Sequence, residues 1–269
     1  MRKTCLGAAT VLAAVMAIII ATGERAAADD TVSFTVVPFD FDPFDTHLVK
    51  AEWEDGIGCP TNATIRPFVE EPPGSGNFVV GPPTPYEDPA CQPGDPRDKR
   101  NFGLLLVKTG PTNNNASAGA TLRGVRGINL TELGYDLRKP DLFGDPRGSH
   151  CGAGAPRFNV TTSDDVTHFV GCASPSPAQT GTGVGWIRLR WTAVQLLAAF
   201  PPILPTDTVQ RISIVFDEGQ DTGPDQFGAA ILDNIDVNGT LVGRGPEGSG
   251  SDSDGREGDN RDTPSPAFQ

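Results

Sequence analysis

The chain has 269 residues, a net charge of −13, 20% charged residues, 32 glycines and 25 prolines. The acidic balance excludes a nucleic-acid or anionic-membrane binder, since both need basic surface. That much glycine and proline, with almost no helical periodicity, excludes a helical bundle.

The first residues are Met1-Arg2-Lys3, followed by an apolar run from Leu6 to about Ala21 and then Ala26-Ala27-Ala28 before Asp29. A basic start, a short apolar stretch and a small-residue site make residues 1–28 a secretory signal peptide. The apolar run is shorter than the roughly 20 residues a spanning helix needs, and Glu24 and Arg25 interrupt its end. Export is therefore expected, with no membrane insertion. Residues 29–243 are expected to form one β domain, and 244–269 a disordered Gly/Ser/Asp tail that buries no core.

Short alternating runs predict strands at 32–37, 48–54, 78–80, 102–108, 120–125, 132–138, 157–161, 166–171, 184–191, 209–216 and 229–237. Ser163-Asp164-Asp165 turns 157–171 into a hairpin, and Asn238-Gly239 turns the chain after the last strand. The helix candidate is 193–200, stopped by Pro201-Pro202. Residues 56–100 are dense in proline and read as a loop or insertion. The pattern is that of an all-β chain folded as an antiparallel sandwich or barrel.

Cys5 lies in the signal, leaving Cys59, Cys91, Cys151 and Cys172. An even count in an exported chain reads as two disulfides. Of the three connectivities, the local pairs Cys59–Cys91 and Cys151–Cys172 are favoured. Zinc is disfavoured because no C-x-x-C spacing occurs.

Asp233 stands between Ile231 and Ile235 in a strongly alternating strand, so it faces a core where an unpaired charge is expensive. Near the mature N-terminus, Pro38-Phe-Asp-Phe-Asp-Pro-Phe-Asp45 alternates aromatics with acids. Terminal strands of sandwiches are often neighbours. A structural calcium held by Asp40, Asp42 or Asp45 with Asp233 is one reading. Edge-breaking charges at Asp40, Asp42 and Asp45, with Asp233 paired to backbone N–H groups or an arginine, is the other. The acidic stretch 217–225 lacks the ligand spacing of a calcium loop and reads as a solvated hairpin loop.

A polar sheet face is the candidate binding surface. Strand alternation sets Trp186, Arg188 and Arg190 on one side of 184–191, Arg211 on one side of 209–216, Arg138 with Asp136, and Arg157 with Asn159. Arginine forks and amides suit sugar hydroxyls and carboxylates, and Trp186 would stack on a sugar ring. An ordinary solvated face with cross-strand ion pairs is the competing reading. Catalysis has little support: His47, His150 and His168 lie in no nucleophile or zinc motif. The pair Glu52 and Glu54 is the only arrangement that suggests glycoside hydrolysis.

Five segments carry a resemblance: Glu132-Leu-Gly-Tyr-Asp-Leu-Arg, Pro156-Arg-Phe-Asn-Val, Gly185-Trp-Ile-Arg, Ile212-Ser-Ile-Val-Phe and Ile231-Leu-Asp-Asn-Ile-Asp-Val. Together they resemble the jelly-roll β sandwich of carbohydrate-binding modules and related galactose-binding-like domains. The stretches Gly103-Leu-Leu-Leu-Val-Lys-Thr-Gly-Pro and His150-Cys-Gly-Ala-Gly-Ala-Pro-Arg-Phe-Asn-Val are similar to secreted bacterial proteins of unassigned function. The resemblance implies a jelly-roll sandwich with long proline-rich loops and one short helix. It also implies a structural calcium at Asp233, and an extracellular, monomeric, non-catalytic module for carbohydrate. A cell-surface or matrix structural protein without a small ligand is the alternative, and a glycoside hydrolase the third reading.

Overall fold

The structure is a computed structural model that describes residues 32–61, 65–67, 78–80, 89–108, 116–139, 149–152, 154–181, 185–217 and 228–246. All of these lie in the unit Thr31–Gln269. The expected signal peptide 1–28, the expected tail beyond 246, much of the segment 56–100 and residues 218–227 lie outside the described residues.

The described strands are β1 (Thr35–Phe41), β2 (Val49–Glu54), β3 (Ile65–Pro67), β4 (Phe78–Val80), β5 (Gly103–Lys108), β6 (Ser117–Arg123) and β7 (Glu132–Arg138). They continue with β8 (Arg157–Thr162), β9 (Thr167–Val170), β10 (Ala178–Thr180), β11 (Ile187–Thr192), β12 (Val209–Phe216), β13 (Gly228–Val237) and β14 (Thr240–Val242). One helical turn, α1 (Ala193–Leu196), follows β11. A five-stranded sheet runs β1-β6-β12-β8-β9, and a seven-stranded sheet includes β10-β11-β7-β13-β5-β2, with β14 on β13. Every pairing is antiparallel. From β5 to β8 the chain changes sheet at each step, as it does again around β12, which is the wrapping of a jelly-roll sandwich.

The core lies between the sheets and follows the alternation of the sequence. Leu122, Val160, Ile212, Ile214 and Phe158 come from one sheet; Leu104, Leu106, Leu133, Tyr135, Leu137, Leu189, Trp191 and Leu232 come from the other. Tyr135, Phe158 and Trp191 form a tilted aromatic trio with ring centroids 5.4, 5.5 and 5.9 Å apart. The polar ends of the two larger rings are satisfied: the Tyr135 hydroxyl donates to Pro156 O, and Trp191 Nε1 donates to Pro175 O at 2.7 Å.

A second apolar cluster lies on the outer side of the seven-stranded sheet: Ile57, Cys59, Ala90, Cys91, Leu105, Val107, Trp186, Ala229 and Ile231. Residues from the insertion cover this face, so β13 is buried along its whole length. The Cys59–Cys91 disulfide fastens the cover, with 5.5 Å between Cα atoms, and Cys151–Cys172 forms the second bridge.

Three details depart from the sequence expectation. β1 runs on through Asp40 to Phe41, because Asp40 is exposed at the sandwich edge and does not interrupt the ladder with β6. Helix α1 stops at Leu196 instead of Phe200: Leu196 O accepts from Ala199 N at 3.2 Å and from Ile203 N at 3.0 Å, which closes the chain into turns. The strands β3, β10 and β14 are three residues each, too short to register as periodic.

Candidate functional site

The polar face expected from alternation is divided between the two outer surfaces of the sandwich. Arg138, Arg188, Arg190 and Trp186 belong to the seven-stranded sheet and the segment leading into it, whereas Arg157, Asn159 and Arg211 belong to the five-stranded sheet. The two groups face opposite ways.

On the seven-stranded sheet the outer face is closed. Trp186 is fully buried in the second cluster, with Nε1 donating to Thr61 O at 3.0 Å. It is a core residue and cannot serve as a sugar platform. Trp53 is buried as well and donates to Val36 O. Arg188 grips Asp136 with Nε at 2.7 Å and Nη2 at 2.8 Å, and reaches the carbonyls of Gln92 and Pro93 in the covering loop. Arg190 pairs with Asp236 at 3.0 Å and approaches Asp136 at 3.5 Å. Arg138 is buried. Charges in this arrangement hold a loop onto a sheet.

Asp233 sits inside that closed face. A bulge interrupts the β13–β7 ladder between Asp233 and Asp236, and Asn234 takes the left-handed conformation (φ 46°). The extra residue reverses the alternation. Ile231 belongs to the outer cluster and Ile235 to the main core, although their spacing would otherwise put them on one side. Asp233 Oδ2 accepts from Cys59 N at 2.7 Å, and Oδ1 from Asn234 N at 2.5 Å. Asn234 completes the clasp: its Oδ1 accepts from Asp95 N and its Nδ2 donates to Asp136, each at 2.8 Å. Gly58 and Gly243 close over Asp233. A β-carbon at either would lie 2.9 and 2.6 Å from its carboxylate oxygens. Burial raises Asp233 well above the usual carboxylate range, and the Cys59 N–H only partly offsets this. Burial also raises Asp136, against the lowering effect of Arg188, and lifts Asp236 to about 6 against Arg190.

The structure does not assemble the expected calcium ligands. Asp40 is on edge strand β1 of the five-stranded sheet, Asp42 binds Thr46 Oγ1 at 2.8 Å and His47 N at 2.6 Å, and Asp45 is exposed in the following turn. Asp233 is inside the other sheet. Among the described residues no group of three or more His, Cys, Asp or Glu side chains could hold a metal ion. The terminal strands are not neighbours here: β1 pairs β6, and β13 lies between β7 and β5.

The remaining acidic pair is also unlike a hydrolytic site. Glu54 shares a hydrogen bond with Glu52, and Glu52 pairs with Lys50, so the two carboxylates meet on one strand and do not face each other across a cleft. His168 is buried, its Nδ1 on Pro201 O at 2.9 Å and its Nε2 on Thr162 Oγ1 at 3.0 Å, which joins β9 to the 200–202 segment.

The outer face of the five-stranded sheet is partly exposed: Arg123, Phe169 and Arg211 reach solvent, while Ser117, Thr161 and Val215 on it are buried. Its central row runs Val37, Thr121, Ser213, Asn159 and Phe169 across all five strands in direct register. Phe169 is 40% exposed, while Asn159, Ser213 and Thr121 are half-buried beside it. Asn159 Oδ1 is shielded from solvent and has no hydrogen-bond partner among the described residues. Phe39 lies over Gly119 in the next row, where a β-carbon would meet its ring at 2.6 Å. Arg157 flanks the row and pairs with Asp217 at 2.7 Å; on the other side Arg211 Nε donates to Thr161 Oγ1 at 3.1 Å. Sequence reasoning placed Arg157, Asn159, Arg211 and Ser213 correctly on one face but missed Phe169 and Thr121. The signal was present: a hairpin closed at Ser163-Asp164-Asp165 sets Asn159 against Phe169.

No protein-family model and no curated protein matches the chain. Among solved structures it is similar to a β-1,2-glucanase from Parabacteroides distasonis, at 13% identity and TM-score 0.31, over 71% of this chain and 23% of the glucanase. The chain thus spans about a quarter of the glucanase's length. It is also similar to the family 11 carbohydrate-binding module of the cellulosomal cellulase Lic26A-Cel5E of Clostridium thermocellum, at 11% identity and TM-score 0.31, over 77% of this chain and 89% of the module. A family 11 module from Clostridium thermocellum in complex with a β-1,3-1,4-mixed-linked tetrasaccharide matches at 12% identity and TM-score 0.29, over 76% and 96% of the two chains.

Proposed function

We propose that this chain is a secreted, non-catalytic module that binds a saccharide on the outer face of its five-stranded sheet. The observation that carries the reading is the row Thr121, Ser213, Asn159 and Phe169. A partly exposed ring offers a sugar its apolar face, and the amide and hydroxyls beside it match ring hydroxyls. The shielded Asn159 oxygen lacks a donor in the described structure, and a sugar hydroxyl supplies one. Two disulfides fit an oxidising, extracellular compartment.

Affinity electrophoresis of the mature protein in gels carrying soluble polysaccharides tests this. The wild type should be retarded by at least one polymer. Phe169→Ala should weaken retardation roughly fivefold, the equivalent of about 1 kcal/mol, and Asn159→Ala by a similar factor. Retardation that both variants leave unchanged would refute the assignment of the face.

A further inference from the structure

Resting on that reading, we infer that the saccharide bound on this face is acidic, a uronate-type polymer whose carboxylates are met by Arg123 and Arg211. The chain is strongly acidic, with 34 Asp and Glu against 21 Lys and Arg. Even so, the outward strand positions of this sheet carry Arg123, Arg157 and Arg211, and none of the described ones carries an acid. Asp217, one residue beyond β12, is taken by Arg157. The register that sets Ile212 against Leu122 places Arg211 and Arg123 side by side at the end of that ladder.

These two arginines differ from the others on the page. Arg97, Arg100, Arg157, Arg188 and Arg190 each hold a carboxylate. Arg211 and Arg123 are both exposed. Arg211 spends only its Nε on Thr161, and neither arginine has an ion-pair partner among the described residues. The nearby acids of the β8–β9 turn are already occupied: Asp164 accepts from Thr162 Oγ1 at 2.6 Å and Asp165 from Gln210 Nε2 at 2.9 Å. Two neighbouring guanidiniums that repel each other gain most from a shared anion, and a planar fork fits a carboxylate with two parallel hydrogen bonds. Phe169 and Asn159 lie one row away, so a single chain of sugar rings can meet the ring and amide while its carboxylates meet the arginines.

The test compares retardation of the full mature chain by a linear polyuronate, a neutral β-glucan and polyglutamate, at low and at physiological salt. The expected result is retention by the polyuronate that weakens with salt. It should fall at least fivefold in Arg123→Gln/Arg211→Gln, and Phe169→Ala should weaken it too. Both arginines are exposed, so the double variant should keep the wild-type melting temperature. Equal or stronger retention by the neutral glucan, unaltered in the arginine variant, would overturn this inference while leaving saccharide binding intact. Equal retention by polyglutamate would reduce the site to an anion patch and overturn it as well. Retention by none of the three would overturn both this inference and the reading beneath it.

Discussion

Asp233 and Asp136 oppose each other across the β13–β7 ladder, both buried, yet their surroundings predict very different responses to the same substitution. Asp136 accepts two hydrogen bonds from Arg188, at 2.7 and 2.8 Å, and one from Asn234, with Arg190 at 3.5 Å. Asp136→Asn removes the charge and leaves the largely buried Arg188 guanidinium without its counter-ion, while Arg190 keeps Asp236. Breaking one partner of such a buried pair costs about 3–5 kcal/mol. Among the described residues Asp233 has no cation beside it; it accepts from the N–H groups of Cys59 and Asn234. Burial favours its neutral form, which an asparagine reproduces apart from one acceptor. Asp233→Asn should therefore cost only about 1 kcal/mol at neutral pH.

In a domain of this size about 1 kcal/mol moves the melting temperature by roughly 2–4 °C, so thermal melts followed by circular dichroism resolve the two variants easily. The pH dependence adds a second readout. Asp233 has a folded value above its unfolded one, so the folded chain holds a proton that the unfolded chain has lost. Stability from this group is greatest at low pH and is lost as pH rises through the folded value. Asp233→Asn removes that contribution, and the variant should gain on the wild type as pH rises. Two results would refute the reasoning. One is an Asp233→Asn penalty as large as that of Asp136→Asn. The other is a wild type that grows more stable than the variant on raising the pH, which would mean that a bound cation neutralises Asp233.

Three further outcomes are expected. Gly58→Ala should lower the melting temperature clearly, because its β-carbon would lie 2.3 Å from Phe102 O and 2.9 Å from Asp233 Oδ2, and overpacking of this kind costs about 1–3 kcal/mol; an unchanged melt would contradict the closed clasp. Burial raises Glu54 to about 7, with the hydrogen-bonded Glu52 carboxylate beside it adding to the rise. The folded chain therefore keeps a proton that the unfolded chain releases, and stability should fall as pH rises from about 4 to about 7. Glu52→Gln should flatten that fall in melts taken across the range. Finally, Cys59→Ser/Cys91→Ser should cost about 2–5 kcal/mol and raise binding of a hydrophobic dye, since the bridge fastens the cover over Ile57, Trp186 and Ile231.

How much of this was legible in the sequence depended on how local each feature is. β7 and β12 match the predicted 132–138 and 209–216 residue for residue, because their alternation is strict and their neighbours bury one face. The same alternation misled at Asp233. A bulge at Asn234 reverses the side on which residues point, and nothing in Ile-Leu-Asp-Asn-Ile announces an extra residue before the ladder is paired. Trp186 was misplaced for a related reason: alternation gives the side of the strand but not what covers that side. The covering segment comes from residues 57–61 and 90–103, more than 80 positions earlier in the chain, and such long-range contact leaves no local period to read.

The two outer faces show what turns an arginine from structure into surface. Both sheets present arginines at alternate strand positions, so side-chain type does not distinguish them. On the seven-stranded sheet the register sets Arg188 against Asp136, and the bulge brings Asp236 to Arg190, so each guanidinium is neutralised on its own sheet before the loop carbonyls of Gln92 and Pro93 close over it. On the five-stranded sheet the corresponding positions beside Arg123 and Arg211 are Thr35, Thr161, Thr121 and Ser213, which hydrogen-bond but do not neutralise. A guanidinium without an acid is costly to cover, because desolvation then has no Coulombic return. Arg123 and Arg211, which have no ion-pair partner among the described residues, stay exposed on this face. A ligand that supplies the missing negative charge is the condition under which they can be covered, which is why the salt dependence of binding discriminates more sharply than affinity alone.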